Sequence, residues 1–177
     1  GVWPWRDADK ILLPLEQDNP LALFGYIALL DAGLLAVALH RGWNYLVPLG
    51  AAGTIFTELF WSSHYFNAGR YLEGNRVLIP MTVLVGFTAL FSAALLVAKR
   101  YHRRESMLAG SSVALAATAF GFAFYFLGSS SVAHQPVTLF GFVFLVDLLV
   151  LTLAWADAKR GAIQTASGVV VFTLLAI

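Results

Sequence analysis

The chain contains no cysteine and little charge. Its 177 residues include no Cys, which excludes disulfides, thiolate chemistry and cysteine-ligated metals. Only 12% of the residues are charged, against about 25% in a typical soluble domain. The hydrophobic share is 59% and the mean hydropathy is +0.77. Together with apolar runs of about 20 residues, this composition predicts an integral membrane protein.

Sequence signals for catalysis or cofactor binding are also absent. The net charge of +1 gives no basis for nucleic-acid binding. The sequence has no Gly-rich phosphate loop, nucleophile elbow or zinc-protease helix. Its histidines fall near the ends of the apolar runs or in loops, at His40, His64, His102 and His134. This placement does not suit a bis-histidine haem inside a bundle. We therefore expect no catalytic residue, no metal and no cofactor, and a non-enzymatic protein is favoured.

Six apolar segments predict an all-α bundle with six membrane spans. The spans are expected at residues 20–40, 45–65, 77–98, 107–128, 136–156 and 162–177. Residues 1–19 precede them as an outer, interfacial segment, in which Trp3 and Trp5 suit the headgroup level. The last span has 16 residues, or about 24 Å of helix, against a hydrocarbon core of about 30 Å. We therefore expect that span to be truncated and the chain to be a fragment of a longer protein.

One stretch of the sequence occurs twice, at an offset of 116 residues. PLALFGYIALLDAGLLAVALH at 20–40 aligns without a gap with PVTLFGFVFLVDLLVLTLAWA at 136–156, and Asp31 aligns with Asp147. Because four spans lie within the offset, both copies cross the membrane in the same direction. The sequence thus predicts a parallel internal repeat in which spans 1–2 resemble spans 5–6.

Basic residues favour one side of the predicted bundle. The loops after spans 1, 3 and 5 carry seven of the eleven Lys and Arg residues, and the other side carries four. The positive-inside rule assigns those loops to the cytoplasm and residues 1–19 to the outside. Four of the seven form a cluster after span 3, at Lys99, Arg100, Arg103 and Arg104. This cluster sets the topology, and it is also a candidate for binding anionic lipid headgroups at about 1 kcal/mol per basic residue.

Two aspartates lie near the middle of the predicted membrane. Asp31 and Asp147 each follow the proline that begins their span by eleven residues, or about 16 Å of helix. A carboxylate at this depth costs about 2.5–3.5 kcal/mol, so each should face the bundle interior and find a partner. No Lys or Arg lies at that depth, which favours a neutral acid that donates a hydrogen bond. The pair is either a structural clamp, used twice because the helix is used twice, or part of a proton or cation relay.

Glu58 is a third acid, in span 2, with Thr54 and Thr57 beside it. Thr54 and Glu58 are four residues apart and share a helix face. Glu58 lies about 12 Å from the outer end of its span, close to the depth of Asp31. If both acids point inward, they can share a proton or hold a small cation, and Leu174 leaves the second copy without this pair. Alternatively, Glu58 extends toward the outer water.

The segment LFGYIALLDAGLLAVALHRGWN, followed by a span containing Gly and Thr, resembles a family of bacterial predicted membrane proteins of unknown function. These are many-span proteins built from tandem helical hairpins with "LFGY…LD" openings. The resemblance covers about 20–65 and, more weakly, 136–173, where the turn reads DAKRG and lacks the Trp. It implies a longer chain in the bacterial cytoplasmic membrane, and it supplies no activity and no catalytic residue.

Three functions remain compatible with these observations. The first is a structural or assembly component of a membrane complex, whose partners are the bilayer and other membrane subunits or missing parts of its own chain. The second is a transporter or channel that uses the three intramembrane acids. The third is a membrane enzyme acting on lipid-linked sugars, for which Asp7 and Glu73 are the candidate acids outside the spans. A hydrated cavity that reaches Asp31 favours transport, whereas acids capped by Ser, Thr or backbone groups favour the structural role.

Overall fold

The computed structural model of the protein describes residues 19–66, 71–72, 74–101, 106–129, 132, 134–156 and 161–176. The described residues form helices and connecting turns, without a β-strand. The helices are α1 (Pro20–Arg41), α2 (Leu46–Tyr65), α3 (Leu78–Arg100), α4 (Ser106–Leu127), α5 (Pro136–Ala156) and α6 (Gly161–Ala176), and a 3-10 turn (Gly74–Val77) precedes α3. The all-helical prediction is confirmed. The predicted interfacial segment at 1–18 lies outside the described residues.

The ends of α1 follow from local chemistry. Asn19 precedes the helix, and its side-chain oxygen accepts a hydrogen bond from the Ala22 N–H at 3.1 Å. Pro20 occupies the first turn, where its missing N–H removes no helical hydrogen bond. Gly42 ends the helix in the left-handed conformation, with φ at 75°, and its N–H donates to the Ala38 carbonyl. The tight turn that follows makes α1 and α2 an antiparallel hairpin.

Four of the helices are long and apolar enough to cross a membrane: α1, α3 with its preceding turn, α4 and α5. The other two do not meet the same criterion. Helix α2 has 20 residues, but Glu58, His64 and several Ser and Thr residues reduce its apolar character. The described part of α6 has 16 residues, which is about 24 Å of helix.

Helices α3 and α4 form the centre of the bundle. They pack against each other, and about half of each is buried. Three of their buried hydroxyl groups bond to backbone carbonyls of their own helices: Thr88 to Leu84, Ser92 to Thr88 and Ser112 to Leu108. Small side chains satisfied in this way let two helix backbones approach closely without leaving polar groups unpaired in an apolar medium.

The other four helices are arranged as two hairpins around this central pair. In the first hairpin, α1 packs on α3 and α2 packs on α4. In the second hairpin, α5 packs on both α3 and α4, and α6 packs on α4. Each hairpin is also held by contacts between its own two helices. The first and last helical pairs of the chain therefore contact the same two central helices.

Aromatic side chains fill the end of the bundle where α1 and α3 begin and α2 and α4 end. Trp61 contacts the rings of Phe24, Phe66 and Tyr71 at centroid distances of 5.3, 5.3 and 4.9 Å. Phe66 continues the contacts to Phe126, whose ring is fully buried. Phe24, Trp61 and Phe66 of this aromatic cluster also surround the side chain of Glu58 and lie between it and that end of the bundle.

Candidate functional site

Asp31 lies at the interface between α1 and α2, where a hydroxyl group holds it. Its side chain is only 3% exposed. One carboxyl oxygen, Oδ2, accepts a hydrogen bond from the Thr54 hydroxyl at 2.5 Å. The other oxygen, Oδ1, rests on Gly50, one turn before Thr54 on the same helix. A Cβ added to Gly50 would lie 2.8 Å from Oδ1, so the carboxyl fits here only because residue 50 has no side chain.

Asp147 has a similar partner in the second hairpin. The Ser167 hydroxyl of α6 donates to Oδ1 of Asp147 on α5. Ser167 is buried, whereas Asp147 is partly exposed. At an offset of 116 residues Ser167 corresponds to Ala51, three residues before Thr54. In both hairpins, therefore, an aspartate of one helix is hydrogen-bonded to a hydroxyl group of the next helix. The two aspartates align in the sequence, but the two hydroxyl-bearing residues do not.

Glu58 is buried without a polar partner. Its side chain is 3% exposed, and neither carboxyl oxygen has a hydrogen-bond partner among the described residues. It borders a small cavity of about 10 Å³ where four helices meet. The surrounding side chains are mainly apolar and include Phe24 of α1, Leu84 of α3 and Phe122 of α4. The carboxyl group does not extend to the surface, because the aromatic cluster covers it.

The structure brings three of the five predicted intramembrane residues together. Asp31 and Thr54 are hydrogen-bonded, and Asp31 is near enough to Glu58 for their charges to repel each other. Asp147 belongs to the other hairpin and has its own partner. The Thr57 hydroxyl donates instead to the Gly53 carbonyl of its own helix at 2.8 Å, so it takes no part in the acid cluster.

The remaining candidates are only partly covered by the structure. Lys99 and Arg100 form the last turn of α3, where Lys99 is partly buried and Arg100 is exposed. Arg103, Arg104, Asp7 and Glu73 lie outside the described residues. Within the described ranges, no group of three or more His, Asp or Glu side chains is placed to hold a metal ion.

Comparison with models of known protein families assigns the chain to one family. The model of the family described as "Predicted membrane protein (DUF2339)" matches residues 11–177. The chain belongs to this family. The resemblance inferred from the LFGY…LD segment is therefore confirmed, and so is the membrane character of the chain. The family has no known function, and no match was found among curated proteins or among solved structures.

Two residues of the site were not singled out in the sequence of this DUF2339 protein. Gly50 was visible only as one of several small residues in α2, since nothing in the sequence says which glycine faces Asp31. Ser167 is the one buried hydroxyl described in α6. The signal that could have identified it is the alignment of Asp147 with Asp31, because an acid in each of two aligned segments needs a polar partner.

We expect the Ser167→Ala substitution to cost little stability. Interhelical hydrogen bonds in membranes contribute about 0.6 kcal/mol on average, and Asp147 is partly exposed even with its partner present. The free energy of unfolding in detergent, measured for Ser167→Ala, should therefore fall by about that amount. Thr173→Ala is the matched control, since the exposed Thr173 hydroxyl bonds only to the Val169 carbonyl of its own helix. A loss well above 1.7 kcal/mol, about the largest value measured for such bonds, would contradict this account.

Proposed function

We propose that the chain is a structural or assembly component of a membrane complex. The observation that carries this proposal is the pairing of each intramembrane aspartate with a hydroxyl of the following helix. Polar groups used in this way form hydrogen bonds between helices, and in an apolar medium these bonds favour one relative arrangement of the two helices. The described core around them is built mainly from Leu, Val, Ala and Phe side chains, which suits a packed bundle better than a hydrated path.

We further propose that all six helices cross the bilayer and that the two hairpins are parallel repeats. The length of α2 supports its crossing, since 20 residues span about 30 Å of hydrocarbon core. The repeat is supported by the matching positions of Asp31 and Asp147 and by the contacts of both hairpins with α3 and α4. It also explains why a carboxyl group recurs near the middle of α5, at Asp147.

The proposed location is the bacterial cytoplasmic membrane, with the loops after spans 1, 3 and 5 in the cytoplasm. Arg41 ends α1, and Lys99 and Arg100 end α3, so these cations lie where odd-numbered helices finish. The positive-inside rule favours the cytoplasm for that end. Setting the topology is the primary role proposed for the Lys99–Arg104 cluster, and binding of anionic headgroups is a secondary one.

Partners of an assembly component would contact its lipid-facing sides. Many large apolar side chains are exposed on the outer helices, which suits lipid tails or helices of other subunits. A photo-crosslinking residue is therefore placed in the full-length protein, in native membranes, at one exposed position on each outer helix. These positions are Leu29, Phe56, Phe144 and Phe172, and the fully buried Phe91 is the control.

The expected result is a discrete protein adduct from at least one exposed position and none from Phe91. Solubilised in mild detergent, the protein should also migrate as part of a larger assembly. Adducts with lipid alone, together with migration as a single protein, would contradict the assembly role.

A second candidate function is transport of protons, cations or a small solute. The unpartnered Glu58 carboxyl and its proximity to Asp31 favour it, because structural polar groups are normally satisfied. If the crosslinking result is negative and Asp31→Asn abolishes a measurable flux in vesicles, this candidate replaces the first. The alternative of an enzyme acting on lipid-linked sugars rests on Asp7 and Glu73 and stays a prediction.

A further inference from the structure

The environment of Glu58 is unsuited to a charged carboxylate. The side chain is 97% buried, and no described residue donates a hydrogen bond to either oxygen. Placing an isolated carboxylate in an apolar interior costs far more than placing a neutral acid there. A charged Glu58 would therefore need a cation or several donors close by.

No described element packed around Glu58 supplies such a group. Helix α1 contributes Asp31, an acid that repels a second negative charge. Helices α3 and α4 contribute Pro80, Leu84 and Phe122 to the cavity wall, none of which carries a charge. On α2 itself the nearest basic side chain is His64, which is exposed and lies beyond Trp61.

The cavity beside Glu58 limits what can bind there. Its volume of about 10 Å³ is close to the minimum that one water molecule requires. Besides Glu58, the wall includes the indole of Trp61 and the side chain of Ser62, whose hydroxyl donates to the Leu59 carbonyl and can still accept a bond. A hard divalent cation takes about six or more oxygen ligands, which this wall does not offer.

We propose that Glu58 is a proton-binding site, occupied by a proton in this arrangement and accompanied by one buried water molecule. The neutral carboxyl group has a donor as well as acceptors, so it can bond to that water, and the water can donate to the Ser62 hydroxyl. The site stands apart from the assembly role, since it needs only the closed packing of α1 to α4. It gives the bundle one group whose charge depends on whether those helices stay together.

Infrared difference spectroscopy tests the proposal on the full-length protein in lipid vesicles near neutral pH. Subtracting the spectrum of Glu58→Gln from that of the unchanged protein should reveal the carbonyl stretch of a protonated carboxylic acid, lost completely in the variant. Asp147→Asn is the control, and the band assigned to Glu58 must persist in it. Loss of carboxylate stretches instead would overturn the proposal.

The folding of Glu58→Gln tests the same claim. Glutamine has nearly the size of glutamate and is neutral, so Glu58→Gln should accumulate and fold like the unchanged protein. Failure of this variant to fold would overturn the proposal, because a protonated Glu58 predicts that glutamine is tolerated. Glu58→Lys should fail to fold in either case and is the positive control for sensitivity of the site.

Discussion

Replacing Gly50 with alanine is expected to destabilise the folded bundle relative to the same change at Gly53. The added Cβ at position 50 would lie 2.8 Å from Oδ1 of Asp31 and 3.5 Å from Cδ1 of Leu34. Asp31 cannot move aside freely, because its other oxygen is held by Thr54. Forcing an extra methyl group into a packed site costs about 1–3 kcal/mol.

Gly53 is the matched control on the same helix. A Cβ added there has no atom within 4 Å, so alanine should only improve helix propensity, by about 0.8–1.0 kcal/mol. Both variants gain this amount, and the difference between their free energies of unfolding therefore isolates the contact with Asp31. The measurement is denaturant unfolding in detergent micelles, followed by circular dichroism.

A second substitution tests whether the contact is the cause. In the Gly50→Ala background, Asp31→Ala removes the carboxyl that the new methyl group meets, so it should recover part of the lost stability. Equal stability of Gly50→Ala and Gly53→Ala would show that α2 can move away from α1 at no cost. In that case the close approach at Gly50 would not be what positions Asp31.

The lengths of the apolar runs predicted where the helices begin and end. Each of the six helices begins and ends within two residues of the bounds expected from the sequence. Loops in this chain are short and carry Gly, Asn or charged residues, so they are marked clearly against apolar runs. Formation of a helix does not by itself indicate that the helix crosses the membrane. Helix α2 forms as expected, yet its polar residues make it less apolar than a membrane-crossing helix such as α1.

The partners of the acids could be predicted less well, for a geometric reason. The sequence gives the depth of a residue along its helix, and depth alone predicts Asp31 and Glu58 at a similar level of the bundle. Which side chain faces which depends on the rotation of each helix about its axis. That rotation places Thr54 on Asp31 and turns Thr57 away, although Thr57 is the nearer of the two to Glu58 in the sequence.

The same rotation separates the hydrogen-bonded acid, Asp31, from the unpartnered one, Glu58. Asp31 faces α2 at a point where a glycine and a threonine make room for it and bond to it. Glu58, one turn further along α2 than Thr54, faces a wall of aromatic and aliphatic side chains. Neighbouring acids thus have opposite surroundings, and only the first is explained by helix packing.

Replacing Thr54 with valine is the substitution that measures what this packing is worth. Valine keeps the shape of the side chain and removes the donor, which leaves Oδ2 of a buried Asp31 without its bond. Leaving a buried acceptor unsatisfied costs about 1–3 kcal/mol. Thr57→Val is the matched control, since that hydroxyl bonds only to its own helix, and its effect should stay within about 0.5 kcal/mol.

The double variant Asp31→Ala/Thr54→Val completes a cycle that isolates the bond. Once the acid is removed, the hydroxyl of Thr54 has no partner to lose, so Thr54→Val should cost much less in the Asp31→Ala background. Groups in direct contact show coupling energies of about 0.5–3 kcal/mol in such cycles. A coupling near zero would mean that Asp31 does not depend on Thr54. The structural interpretation of the intramembrane aspartates would then fail, and Asp31 would be grouped with Glu58 as an acid retained for a purpose other than packing.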